Sequence, residues 1–142
     1  EDADLAKRVA RLLIETRGQT LFGDITAEHV NEYLKEISGA DISAKDFRTW
    51  FGSLVALQAL HDLPAPKSEK EATATIREAM KVVADKLGNT PAVARNSYVY
   101  PEIIAAFADG KMLTRIYDQA RKQPVPRGLS LDERALLLIL NP

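Results

Sequence analysis

The stretch Leu87-Gly88-Asn89-Thr90-Pro91-Ala92-Val93-Ala94-Arg95-Asn96-Ser97-Tyr98 decides how this chain is built. Leucine followed by glycine predicts a helix end, because glycine takes the left-handed C′ conformation without a steric penalty. Thr90 predicts an N-cap, and Pro91 suits the first helical position, where no N–H needs a partner. One helix therefore stops and another starts within three residues. Tyr98 follows two turns later, with polar neighbours.

Helical signals continue on both sides. Upstream, Ile76, Met80, Val83 and Leu87 recur on one face, and Ser68 with Glu71 forms a capping-box signature at the start. Leu63-Pro64-Ala65-Pro66 breaks the chain before it. Earlier still, Ser43 is a candidate cap for a helix whose apolar face is Phe47, Trp50, Phe51, Leu54, Val55 and Leu57. Thr26 predicts a cap for a helix bearing Val30, Tyr33, Leu34 and Ile37, with Gly39 as its stop. The first helix carries Leu5, Val9, Leu12 and Leu13 and ends at Gly18, and Leu21 with Phe22 anchors the connection.

Downstream, Pro101 restarts helix over about 102–108, and residues 111–122 predict another, ended by Pro124 and Pro126. Ser130 with Glu133 caps a last apolar helix. No stretch alternates as a long strand. The expected fold is all-α, a compact multi-helix domain spanning 1–142, with the Pro64–Ala65–Pro66 link inside it.

Composition sets outer limits. The chain has 142 residues, is 46% hydrophobic and contains no cysteine. A core is affordable at that length. A disulfide framework, a thiolate metal site and a cysteine nucleophile are excluded. The longest apolar run, Ala135-Leu136-Leu137-Leu138-Ile139-Leu140, is too short to span a bilayer. The chain opens acidic at Glu1, Asp2 and Asp4, unlike a signal peptide. Charge shifts along it: five bases against nine acids in residues 1–42, eight of each in 43–110, six bases against three acids in 111–142. A basic last third suits a nucleic-acid backbone, and equally an ordinary solvated helix face.

Two residues stand out as chemistry. Arg48 lies in Lys45-Asp46-Phe47-Arg48-Thr49-Trp50, and the residues near its helical face are Gly52, Ala56 and Ala59. Small side chains there admit a second backbone or a DNA strand. A guanidinium offers a permanently charged planar fork to two phosphate oxygens, or pairs with a surface acid. Tyr98 offers a hydroxyl that attacks phosphorus only where cations stabilise the developing charge, and otherwise hydrogen-bonds the backbone. Tyr100 is its rival by proximity. Asn89, beside the Thr90 cap, can donate to a phosphate oxygen or simply serve the turn. Lys45 shares a face with Arg48 one turn later. His29 and His61 stand alone, and no glycine-rich phosphate loop or metal-ligand spacing occurs.

These two segments resemble the C-terminal signatures of bacterial, poxvirus-like type IB DNA topoisomerases. Gly18-Gln19-Thr20-Leu21-Phe22 and residues 26–37 resemble the helices before the first signature. The resemblance implies that Arg48 contacts the scissile phosphate, that Tyr98 attacks it, and that Asn89 donates to a phosphate oxygen. Lys45 stands where tyrosine recombinases carry the histidine of a His-x-x-Arg box. It implies a 3′-phosphotyrosyl intermediate, a free 5′-hydroxyl, ATP-independent relaxation of supercoils, and no cofactor or metal.

The family's earlier arginine, in an Arg-Val-Gly-Asn-Glu-like stretch, and its β-hairpin lysine have no counterpart in these residues. The chain is therefore expected to be a C-terminal catalytic fragment with little or no activity alone. Its expected partners are double-stranded DNA and the upstream part of the same protein, with no membrane, as a monomer in the bacterial cytoplasm at the nucleoid. The alternatives are a non-catalytic helical DNA-binding or protein-interaction module and a tyrosine recombinase fragment.

Overall fold

The computed structural model describes residues 3–15, 17, 21–124 and 128–141. Among these, eight α-helices and no strand are found. The expected stops at Gly18 and Pro126, and the segment through Gln19 and Thr20, lie outside the described residues. The chain divides into two compact units, Glu1–Ala44 and Lys45–Pro142.

The first unit contains α1 (Ala3–Glu15) and α2 (Ala27–Ser38). Thr26 caps α2 through a reciprocal box: its hydroxyl accepts from the His29 N–H, and the His29 ring accepts from the Thr26 N–H. His29 thus has a local role that its isolation in the sequence did not suggest. Gly39, at φ 66°, closes the helix as expected. No described residue of this unit is buried.

The second unit holds α3 (Ala44–His61), which begins at the boundary residue, then α4 (Glu69–Leu87), α5 (Pro91–Ser97), α6 (Pro101–Ala108), α7 (Met112–Lys122) and α8 (Leu131–Leu140). Its core draws on all six: Ala56, Leu57 and Leu60 of α3, Ile76, Met80 and Val83 of α4, Ala94 of α5, Ile103 and Phe107 of α6, Ile116 and Tyr117 of α7, Leu136 and Ile139 of α8. Each large apolar side chain so buried stabilises the unit by about 1.5–3 kcal/mol before the entropy cost of ordering it.

Caps fix the helix boundaries. Ser68 accepts from the Glu71 N–H, but the Glu71 carboxylate reaches back to the Lys67 N–H, one residue beyond the position a capping box uses. Ser130 and Glu133 make the full reciprocal box on α8. The Ser130 N–H, donating to the Glu133 carboxylate at 2.8 Å, and next the Ser130 side chain hold that carboxyl below its ordinary pKa of 4.5, and the nearby Trp50 side chain adds to this.

Asp132 links three helices. One carboxylate oxygen accepts from Gln58 Nε2 of α3 at 2.6 Å, the other from the Tyr117 hydroxyl of α7 at 2.8 Å. Burial first, and the Asp132 contact second, push the Tyr117 phenol above its ordinary pKa of 10.0. Tyr117 is 2% exposed, with the His61 ring 3.5 Å away between centroids, so it is a packing residue. No helix among the described residues is long and apolar enough to cross a membrane.

Candidate active site around Arg48 and Tyr98

The turn between α4 and α5 forms as its residues demand. Gly88 adopts φ 67°, and the Asn89 N–H closes the helix end on the Ala84 carbonyl at 2.9 Å. Thr90 then caps α5 by accepting from the Val93 N–H, with Pro91 at the helix start. Tyr98 ends α5, donating its N–H to the Ala94 carbonyl at 3.0 Å. Its half-buried ring packs against the edge of the core. Val99 is buried, and Pro101 opens α6.

Arg48 reaches this turn from the second turn of α3. Its Nη2 donates to the Leu87 carbonyl at 2.9 Å, across 39 residues of sequence. That oxygen ends α4, where unpaired carbonyls carry partial negative charge and favour a cation. The Asn89 amide donates to the same oxygen at 3.3 Å. The Arg48 guanidinium carbon lies 4.9 Å from the centre of the Tyr98 ring, within cation–π range.

Three of the four sequence-predicted residues thus converge. Arg48 contacts the Tyr98 ring directly, and Arg48 and Asn89 share one acceptor. Lys45 does not join these contacts. It is exposed in the first turn of α3, where its carbonyl accepts from the Thr49 hydroxyl at 3.0 Å. Tyr100, the rival hydroxyl, is the N-cap residue of α6, and no arginine lies over its ring among the described residues.

Two features of the site were not singled out in the sequence. One is the Leu87 carbonyl, a backbone atom that carries no side-chain signature. The other is Ser53, buried at 0% exposure, whose Oγ accepts from the Tyr100 N–H at 3.1 Å. A serine inside an otherwise apolar helix face was the available signal. Among the described residues, no group of three or more His, Cys, Asp or Glu side chains is placed to hold a metal ion.

Chemically, the arrangement presents a permanent cation beside a phenol, on the surface of a well-packed unit. A guanidinium has five N–H donors, so binding Leu87 does not exhaust it. Comparison with known proteins gives the family. Residues 3–121 match the family described as eukaryotic DNA topoisomerase I, catalytic core. DNA topoisomerase 1B of Acanthamoeba polyphaga mimivirus is 30% identical over 105 residues, covering 63% of this chain and 31% of that protein. The chain therefore spans about a third of that relative's length.

Proposed function

This chain belongs to the DNA topoisomerase I catalytic-core family, and on that premise we propose that it carries the nucleophile and part of the phosphate grip of a type IB topoisomerase acting on double-stranded DNA. The Tyr98 hydroxyl attacks the scissile phosphorus and loses its proton to solvent. The bond from phosphorus to the 5′ oxygen breaks. A 3′-phosphotyrosine diester and a protonated 5′-hydroxyl result. The diester conserves the energy of the broken bond, so the reverse attack by the 5′-hydroxyl reseals the strand without ATP. Rotation between the two steps relaxes supercoils.

Arg48 stabilises the charge that accumulates on the nonbridging oxygens. Removing one such preorganised donor costs about 10²–10³-fold in rate. Asn89 donates to the same phosphate from the turn, and Lys45 approaches the neighbouring backbone. The proton for the departing 5′ oxygen, and a second cation for the phosphate, come from elsewhere in the full-length protein, as the family resemblance implies.

The observation that supports this reading best is the Arg48 guanidinium lying 4.9 Å from the Tyr98 ring centre. A cation must sit next to the tyrosine for its phenol to act on a phosphodiester at neutral pH. The test is a nicked suicide DNA substrate incubated with the full-length protein and resolved on a denaturing gel. The wild type is expected to form a covalent adduct, Tyr98→Phe none, and Tyr100→Phe an adduct like the wild type. An adduct that survives Tyr98→Phe and disappears with Tyr100→Phe assigns the nucleophile to the other tyrosine. DNA binding with no adduct from any form leaves a binding module.

A further inference from the structure

Gly52 lies in the interior of α3, where glycine weakens a helix relative to alanine. A Cβ at this position would meet the Tyr98 carbonyl oxygen at 2.5 Å, Leu87 Cδ1 at 3.1 Å and Tyr98 Cβ at 3.3 Å. The nearest of these atoms is backbone, so no side-chain rotation relieves the clash. The missing side chain is what lets the end of α5 lie directly on α3. The adjacent residue holds the next part of the same segment: the fully buried Ser53 hydroxyl accepts the Tyr100 N–H. Consecutive residues of one helix thus fix the backbone on both sides of Val99.

The spacing relates this platform to the arginine. Arg48 and Gly52 are four residues apart on α3 and share a helix face. The guanidinium and the surface on which the tyrosine segment lands are therefore carried by one stretch of α3 less than two turns long. We propose that Gly52 and Ser53 are positioning residues for Tyr98: they set the distance and angle between its phenol and Arg48 by fixing the backbone of residues 98–100, and neither touches the DNA. This rests on Tyr98 being the nucleophile.

The test pairs two readouts on the full-length protein. The first is the single-turnover rate of adduct formation on saturating nicked DNA, with DNA affinity measured separately by fluorescence anisotropy. Gly52→Ala is expected to lower the rate by about 10²-fold, the scale of a 1 Å misplacement, with affinity unchanged. Ser53→Ala, which adds no bulk, is expected to lower it by less in the same direction, and serves if Gly52→Ala fails to fold. Ile139→Val in α8 is the control: it lowers the melting temperature and leaves the rate unchanged. The second readout is the NMR shift of the Arg48 Nε proton. The Tyr98 ring current displaces it in the wild type, and in either α3 variant it moves toward its position in Tyr98→Leu.

A wild-type rate in both α3 variants overturns the inference, with or without a shift of the Arg48 signal. So does a rate loss without the NMR change, or a rate loss shared by Ile139→Val. A wild-type protein that forms no adduct overturns the nucleophile assignment itself, whatever the Arg48 signal does.

Discussion

The two units of this chain carry apolar residues in similar helical patterns and use them differently. In α1 and α2, Leu5, Leu13, Ile14, Val30, Tyr33 and Ile37 all stay exposed, Ile14 at 78%. In the unit from Lys45 onward, Leu57, Leu60, Ile103 and Leu136 are fully buried. Helical periodicity states which face seeks cover, but it does not supply the cover. The candidate chemistry lies wholly on the unit that has its own core. This is the arrangement a reaction needs, because positioning groups to fractions of an ångström requires elements that do not move.

The contrast can be tested by substitution. The largest effect on stability is expected from Leu57→Ala, which opens a cavity in the packed unit and should cost about 2–5 kcal/mol, read as a lower midpoint in urea unfolding. A cost below 1 kcal/mol would mean that the unit is not built around this residue. Next comes Arg48→Ala, on the exposed side of the same unit. It should lower adduct formation by about 10²–10³-fold while moving the unfolding midpoint far less than Leu57→Ala. A loss of stability matching that of Leu57→Ala would recast the arginine as a structural strut.

A smaller effect concerns pH. The Glu133 carboxyl has its pKa lowered by folding, so the stability it contributes is present above its unfolded value of 4.5 and is lost as pH falls through the lower folded value. Trp50 is the only tryptophan and stands close enough to this carboxylate to help lower its pKa. Its fluorescence should therefore change in that acid range, and Ser130→Ala should move the change upward in pH. An unmoved transition would detach the cap from the titration. The smallest effect is expected from Ile14→Ala in α1, within about 0.5 kcal/mol of the wild type. A cost like that of Leu57→Ala would erase the contrast between the units.

Much of this architecture was legible in the residues. Thr26, Gly39, Ser68, Gly88, Thr90, Pro91, Pro101 and Ser130 each mark the helix boundary that their backbone chemistry predicts. Such signals are local, involving hydrogen bonds across three or four residues, and a single sequence is enough to show them. The small side chain of Gly52 announced a close approach, although not that the Tyr98 carbonyl makes it. What stayed hidden is long-range. The Leu87 carbonyl that receives Arg48 is one backbone oxygen among many, and the bond from the Tyr100 N–H to Ser53 spans 47 residues. Asp132 reads as a helix-start acid, and only the fold makes it the junction of α3, α7 and α8. The burial of one unit and the exposure of the other were equally absent from the pattern, since both carry amphipathic stripes.

The Leu87 carbonyl also bears on when the cost of ordering Arg48 is met. Immobilising a long, rotamer-rich side chain at a binding surface costs about 0.5–1.5 kcal/mol. Here one arm of the fork is already tethered to the end of α4 and its central carbon lies over an aromatic ring. That entropy is surrendered as the polypeptide folds, so an arriving phosphate meets a preset receptor. Lysine at this position would offer a compact point charge, with neither the planar fork nor a face to lay over the ring.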